Sequence, residues 1–207
     1  MSNQPALAIV SVCIAVISLL VSIAVAWFTH RRGKLCCTRP VFLALKYDHA
    51  DGVPWPKIFL RALLFSTGKR GLVVESLWLR ARDSAGCLEE FSFWGYGDKD
   101  LVRGSGLFVP EVGSVTNHHF NPLGRDSTFR FHGGPLHLEL VAKVLGCAVP
   151  VSLWHGTVDL PTGAFEGEGS YDTAVWLNWS PQRKRYIASI ETRAVDLAVA
   201  AKGYSGA

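Results

Sequence analysis

The sequence predicts an all-β fold: an antiparallel β-sandwich of immunoglobulin-like architecture, with about nine strands, behind one N-terminal transmembrane helix. Three observations lead there. No charged residue lies between Ala6 and Phe28. Beyond Pro40 the chain breaks into short alternating segments bounded by Gly, Pro, Asp and Asn, the period-two pattern of half-buried strands. Between those segments there is no amphipathic helix of the roughly 10 to 15 residues that a parallel α/β sheet requires.

The first element is the anchor. At about 1.5 Å per residue the run from Ala6 to Phe28 is about 34 Å long, enough to cross about 30 Å of hydrocarbon. It lacks the polar stripe of a core helix. A cleaved secretory signal does not fit either, because MSNQP carries no basic side chain before the run and arginines follow it at once. Lysine and arginine fall on one side only, as Arg31, Arg32, Lys34 and Arg39. The positive-inside rule then puts residues 1–5 outside and everything after the 6–28 span in the cytosol. Trp27 supplies the interfacial aromatic residue, so Trp27, Arg31, Arg32 and Lys34 form the expected anchor, with the lipid bilayer as first partner. Ser11, Ala15, Ser18 and Ser22, extended by Ala8 and Ala26, trace a small-residue seam of the kind along which membrane helices approach, so a homodimer through this helix is expected.

Residues 29–38 read as a basic juxtamembrane segment, 39–192 as the β-domain and 193–207 as a short helix or flexible tail. The chain has 21 basic and 17 acidic residues, and setting aside the four cations at the junction leaves 17 against 17. The excess therefore belongs to the junction, and Arg183, Lys184 and Arg185 read as a solvated turn. Nucleic acid, which needs a concentrated basic face, is excluded as a partner. The cysteines, Cys13, Cys36, Cys37, Cys87 and Cys147, are odd in number and lack a C-x-x-C pair, so neither a disulfide framework nor a structural zinc site is expected. Cys36 and Cys37 lie where a juxtamembrane thiol is open to acylation.

The strands follow in order. RPVFLALKYDH is the first, ending at ADGVPWP, and KIFLRALLFS is next, ending at TGKR. In GLVVESLWLRARD, Leu77, Leu79 and Ala81 share one face while Trp78, Arg80 and Arg82 share the other. DSAG makes a hairpin turn into CLEEFSFWGY. STFRFH and LHLELVAKVL alternate as strands, the latter with Leu136, Leu138, Leu140 and Ala142 on one face. AVPVSLWHGTVDL, SYDTAVWLNWS and RKRYIASIETR complete the set. Cys87 and Cys147 with Trp94 between them resemble immunoglobulin spacing only loosely. Trp94 comes seven residues after Cys87, and position 145 is leucine where the tyrosine corner requires Tyr. The architecture is expected without the family.

The stretch from Gly95 to Asp126 is rich in glycine and the least strand-like, so it reads as a long binding loop carrying Arg103, Phe108, His118, His119 and Phe120. Histidines there, with His132, His137 and Asp126, raise a zinc site as an alternative, although adjacent His118 and His119 would point to opposite faces of a strand. Ser105 sits in Gly-Ser-Gly without the flanking pattern of a nucleophile elbow, and no Walker or dinucleotide loop occurs, so no cofactor is expected. Tryptophans outside the anchor read as core residues before they read as a sugar-stacking platform. The functional expectation is a membrane-anchored cytosolic module that binds a protein. The alternatives are an enzyme or metal site around His118–His137 and a carbohydrate-binding ectodomain of inverted topology.

Overall fold

The computed structural model describes residues 4–30, 33–50, 53–96, 101–103, 106–124, 127–166 and 172–191. The proposed C-terminal helix or tail, residues 193–207, lies outside them. Helix α1 (Gln4–His30) is a single run of 27 residues. Its stretch from Ile9 to Trp27 is long and apolar enough to cross a membrane, and none of it is buried against the rest of the chain. Within α1 the Ser22 hydroxyl donates to the Ser18 carbonyl at 2.8 Å, the back-bond that a serine makes when no neighbour competes for it.

The remainder is mostly β. The strands are β1 (Leu35–Cys37), β2 (Phe42–Ala50), β3 (Val53–Ser66), β4 (Leu72–Arg82), β5 (Leu88–Tyr96), β6 (Leu101–Arg103), β7 (Leu107–Val109), β8 (Ser114–Pro122), β9 (Gly134–Val144), β10 (Val151–Leu160), β11 (Ala174–Ser180) and β12 (Arg185–Glu191). They form one antiparallel sheet of 12 strands in the order β10-β9-β4-β5-β8-β3-β2-β11-β12, with β1 on β3, β6 on β5 and β7 on β4. The end strands β10 and β12 come close together, so the sheet is nearly closed and barrel-like. The expected sandwich would divide the strands between two sheets; here one continuous ladder carries them all. Register shifts between Val74 and Ser76 and between Ser152 and Trp154 mark irregularities of the bulge type, which sharpen the local twist and curl a long sheet toward closure.

Period-two patterning decides which side is inside. Leu77, Leu79 and Ala81 of β4 and Leu136, Leu138, Leu140 and Ala142 of β9 are buried in one cluster with Leu43, Leu45, Ile58, Leu60 and Phe120. Their alternates, Arg80 and Arg82 among them, face out. The DSAG turn forms as expected: the Gly86 N–H donates to the Asp83 carbonyl, the Cys87 N–H donates to Asp83 Oδ1 at 2.8 Å, and Gly86 has φ 87°. That φ suits glycine because it has no Cβ to clash.

Two sequence expectations give way here. STFRFH is not a strand. Residues 127–132 carry no ladder; instead Phe129 and Phe131 turn inward against Phe91, Tyr47 and Phe165, and the Phe131 N–H donates to the Tyr47 hydroxyl at 2.8 Å. The segment plugs one mouth of the barrel. Cys36 and Cys37, expected in a free juxtamembrane segment, sit in β1 paired with Phe65 and Leu64 of β3.

The two mouths differ. The chain enters at the near end, where β1 pairs with the last residues of β3. The turns between β3 and β4, β7 and β8, β9 and β10, and β11 and β12 all lie there, by the antiparallel register. The turn between β4 and β5, the Phe129–Phe131 plug and the connection from β10 to β11 lie at the far end.

Candidate functional site

The stretch expected to be a binding loop is mostly sheet. Residues 114–122 form β8, between β3 and β5. His118 pairs with Leu60, Phe120 with Ile58, and His119 with Phe59. His118 and Phe120 therefore point into the core and His119 points outward, yet both histidines are buried, at 0% and 2% exposure. They are not a solvent-facing loop. Alternation is hidden because the inward positions include His118, a polar residue type, beside Phe120. Phe108 is exposed on β7, whereas the side chain of Arg103 lies outside the described residues.

His118 sits among Phe93 and Phe120 rings, at centroid distances of 5.7 and 6.4 Å. Burial pulls its pKa down to about 4, against a smaller upward pull from the Ala62 backbone. A charged imidazolium in that apolar setting loses hydration that the Ala62 backbone replaces only in part. His119 is also lowered to about 4, by burial first and then by Lys57; its ring stands edge-on to Phe59 at 5.0 Å. Both imidazoles are neutral at pH 7.

Of the zinc candidates, Asp126 lies outside the described residues. His118 and His119 are on opposite faces of β8, and His137 is on β9, three places along the sheet from β8, or about 14 Å at the usual strand spacing. His137 Nδ1 pairs with Thr157 Oγ1 at 2.8 Å. Among the described residues no three His, Cys, Asp or Glu side chains gather as a metal site.

Two outward surfaces remain. The first is an aromatic row across β11, β2, β3, β8 and β5. Trp176, Phe42, Phe59 and His119 touch in sequence, and Trp55 meets Trp94 edge-on at 5.8 Å. These tryptophans are on the outside of the barrel, not in its core. They are nonetheless covered: among the described residues the indole N–H groups of Trp55, Trp94 and Trp176 are buried with no hydrogen-bond partner. Trp176 is buried and Trp55 and Trp94 are half-buried and edge-on to each other, whereas a sugar platform needs an open flat ring. Beside the row, Lys57 donates to Asp48 Oδ2 at 2.7 Å, with Lys46 on the other carboxylate oxygen. Burial raises the Asp48 pKa, but the two lysines more than reverse that and hold it below its usual range.

The second surface is open. Arg80, Arg82 and Glu90 from the β4–β5 hairpin, His137 and Glu139 from β9, and His155 and Thr157 from β10 line a groove of about 810 Å³ on the outer face. Arg80 Nε donates to Glu90 Oε1 at 2.8 Å, and its Nη1 lies 3.6 Å from Glu139 Oε2. The register explains the row: Arg80 pairs with both Glu90 and Glu139, Arg82 with His137, and His155 with Glu139. Exposed pairs of this kind contribute about 0 to 1 kcal/mol each, so these charges add little to the stability of the fold. Its charges alternate in sign. The individual positions had been seen as the outward faces of two strands, but nothing in local alternation brings those strands side by side.

Comparison with protein-family models and with characterised proteins returns no match.

Proposed function

We propose that the chain is a single-pass membrane protein, its short N-terminus outside and its β-domain in the cytosol, and that the domain docks a protein partner in the β4–β9–β10 groove. The groove carries the reading: about 810 Å³, exposed, and lined by charges of both signs with histidine and threonine between them. Small-ligand sites are mostly apolar and enclosed. A shallow trough of alternating charge suits side chains of a polypeptide, and fixes partner choice and register through charge complementarity. The anchor half of the reading draws on the exposed apolar helix and on Arg31, Arg32, Lys34 and Arg39 following it with no basic residue before it.

A photo-crosslinking side chain at Thr157, in the full-length membrane-borne chain, should give a discrete crosslinked protein that disappears when Arg82→Glu is added. The same probe at Ser84, exposed in the far-end turn, should give none. Equal yields at the two positions, or indifference to Arg82→Glu, would reject the groove.

A further inference from the structure

We propose that the near end of the barrel rests on the lipid surface, its exposed apolar residues entering the interface and its basic turns facing acidic headgroups. This rests on the reading of α1 as a membrane span and adds a second, peripheral attachment made by the domain itself.

The tether between helix and barrel is short. Helix α1 ends at His30, and Gly33 already packs on the β3–β4 turn: a Cβ there would stand 2.2 Å from the Gly68 nitrogen and 2.6 Å from Ser66 Oγ. The Lys34 N–H donates to Thr67 Oγ1 at 2.8 Å, and the Thr67 N–H returns a bond to the Lys34 carbonyl at 3.0 Å. Three residue steps separate His30 from Gly33 and span at most about 11 Å. The headgroup layer beyond the hydrocarbon is itself about 5 to 7 Å deep. A helix that spans the bilayer therefore holds the near end against the surface.

That end also displays exposed apolar side chains. Val112 at 88% exposure, Val149 at 72%, Phe108 at 62% and Leu145 at 56% all belong to near-end turns or strand ends. Far-end turns and strand ends show fewer, Leu88 at 55%, Leu123 at 56% and Ile190 at 47%. The β9–β10 turn is braced, since Lys143 Nζ donates to the carbonyls of Cys147 and Ala148 at 2.6 and 2.8 Å, so Leu145 and Val149 are presented on a fixed loop.

Charge adds to this, in a way invisible in the total. Described near-end turns carry exposed Lys69, Arg70, Arg183 and Lys184 against the single acid Glu111. Described far-end turns and connections carry exposed Glu166 and Asp172 against half-buried Arg130, with Asp83 buried in the β4–β5 turn. Among the described turns, charge is thus polarised along the axis, basic toward the bilayer. The cytoplasmic leaflet is the acidic one, and its field decays within about a Debye length, so only charges held at the surface feel it. Apolar side chains rimmed by lysine and arginine are the composition of interfacial binding.

Three native thiols report on the three places: Cys13 in α1, Cys147 in the near-end β9–β10 turn and Cys87 in the far-end β4–β5 turn, all exposed. Single-thiol variants of the full chain, with the other cysteines replaced by alanine, are reconstituted in vesicles of phosphatidylcholine and phosphatidylserine. Each is labelled with an environment-sensitive fluorophore, and unlabelled variants are first checked for an unchanged thermal transition. Nitroxide lipids labelled deep in the acyl chain or at the headgroup then quench by depth. Cys13 should be quenched by the deep nitroxide, Cys147 by the headgroup nitroxide several-fold more than Cys87, and Val112→Asp with Val149→Asp should remove the Cys147 signal. Deep quenching at Cys13 with Cys147 and Cys87 alike would overturn the docking while leaving the anchor standing. No quenching at Cys13 would remove the anchor, and the docking that depends on it.

Discussion

Mild acid should destabilise the β-domain through two buried histidines. His118 and His119 have pKa values near 4 in the fold, against an ordinary 6.5. Depressed folded values mean that the unfolded chain takes up protons first as pH falls. Stability is therefore full above about 6.5, declines between about 6.5 and 4 by up to about 1.4 kcal/mol per pH unit for each histidine, and levels off below. Moving from about pH 7.5 to about pH 5 costs about 2 kcal/mol per histidine and about 4 kcal/mol for the pair. For a domain of this size that lowers the melting temperature by on the order of 10 °C. The assay is thermal unfolding of the full chain in detergent across that range, followed by tryptophan fluorescence. His118→Gln keeps a polar group near the Ala62 backbone but removes one proton site, and should halve the pH dependence. A flat profile in the native chain, or an unchanged slope in the variant, would refute the argument.

Other consequences follow from single contacts. Gly33→Val places a side chain where the Gly68 backbone already stands and should cost about 1 to 3 kcal/mol, read as a lower melting temperature; no change would mean that the tether is not packed on the turn. The Cys37 thiol is pushed up to about 12 by burial and then by Cys36, so it should react with maleimide at pH 7 far more slowly than exposed Cys147. If α1 pairs through its small-residue seam, Ser18→Leu with Ser22→Leu should abolish association in the membrane while Ile17→Leu with Val21→Leu leaves it intact. The Ser22 back-bond to Ser18 makes close packing, not a hydroxyl bond across the seam, the expected source of that affinity.

What could be read in advance followed from local periodicity. β4 and β9 are legible because Leu77, Leu79, Ala81, Leu136, Leu138 and Leu140 alternate with polar residues, and those six are buried. β8 is not legible because its inward side chains include His118, and a buried neutral histidine reads as polar when only its residue type is known. STFRFH was over-read for the converse reason: Phe129 and Phe131 alternate, but the backbone between them bonds to a tyrosine hydroxyl instead of a neighbouring strand. Closure into one sheet is a matter of which distant strands pair, and alternation is silent on that. The groove has the same origin, since Arg82 and His137 meet only because β4 and β9 are neighbours. Net charge concealed the basic near end because a sum discards position.

Whether α1 anchors a cytosolic domain decides the orientation, the facing leaflet and the partner class together. A phosphatase active only outside the cytosol, fused to the C-terminus of the full chain, measures this directly, with a fluorescent protein that folds in the cytosol as its counterpart. The account requires an inactive phosphatase and a bright fluorescent fusion, both in the membrane fraction. An active phosphatase with a dark fluorescent fusion would place the domain outside, and would contradict at once the orientation, the acidic leaflet facing the near end and the cytosolic partner.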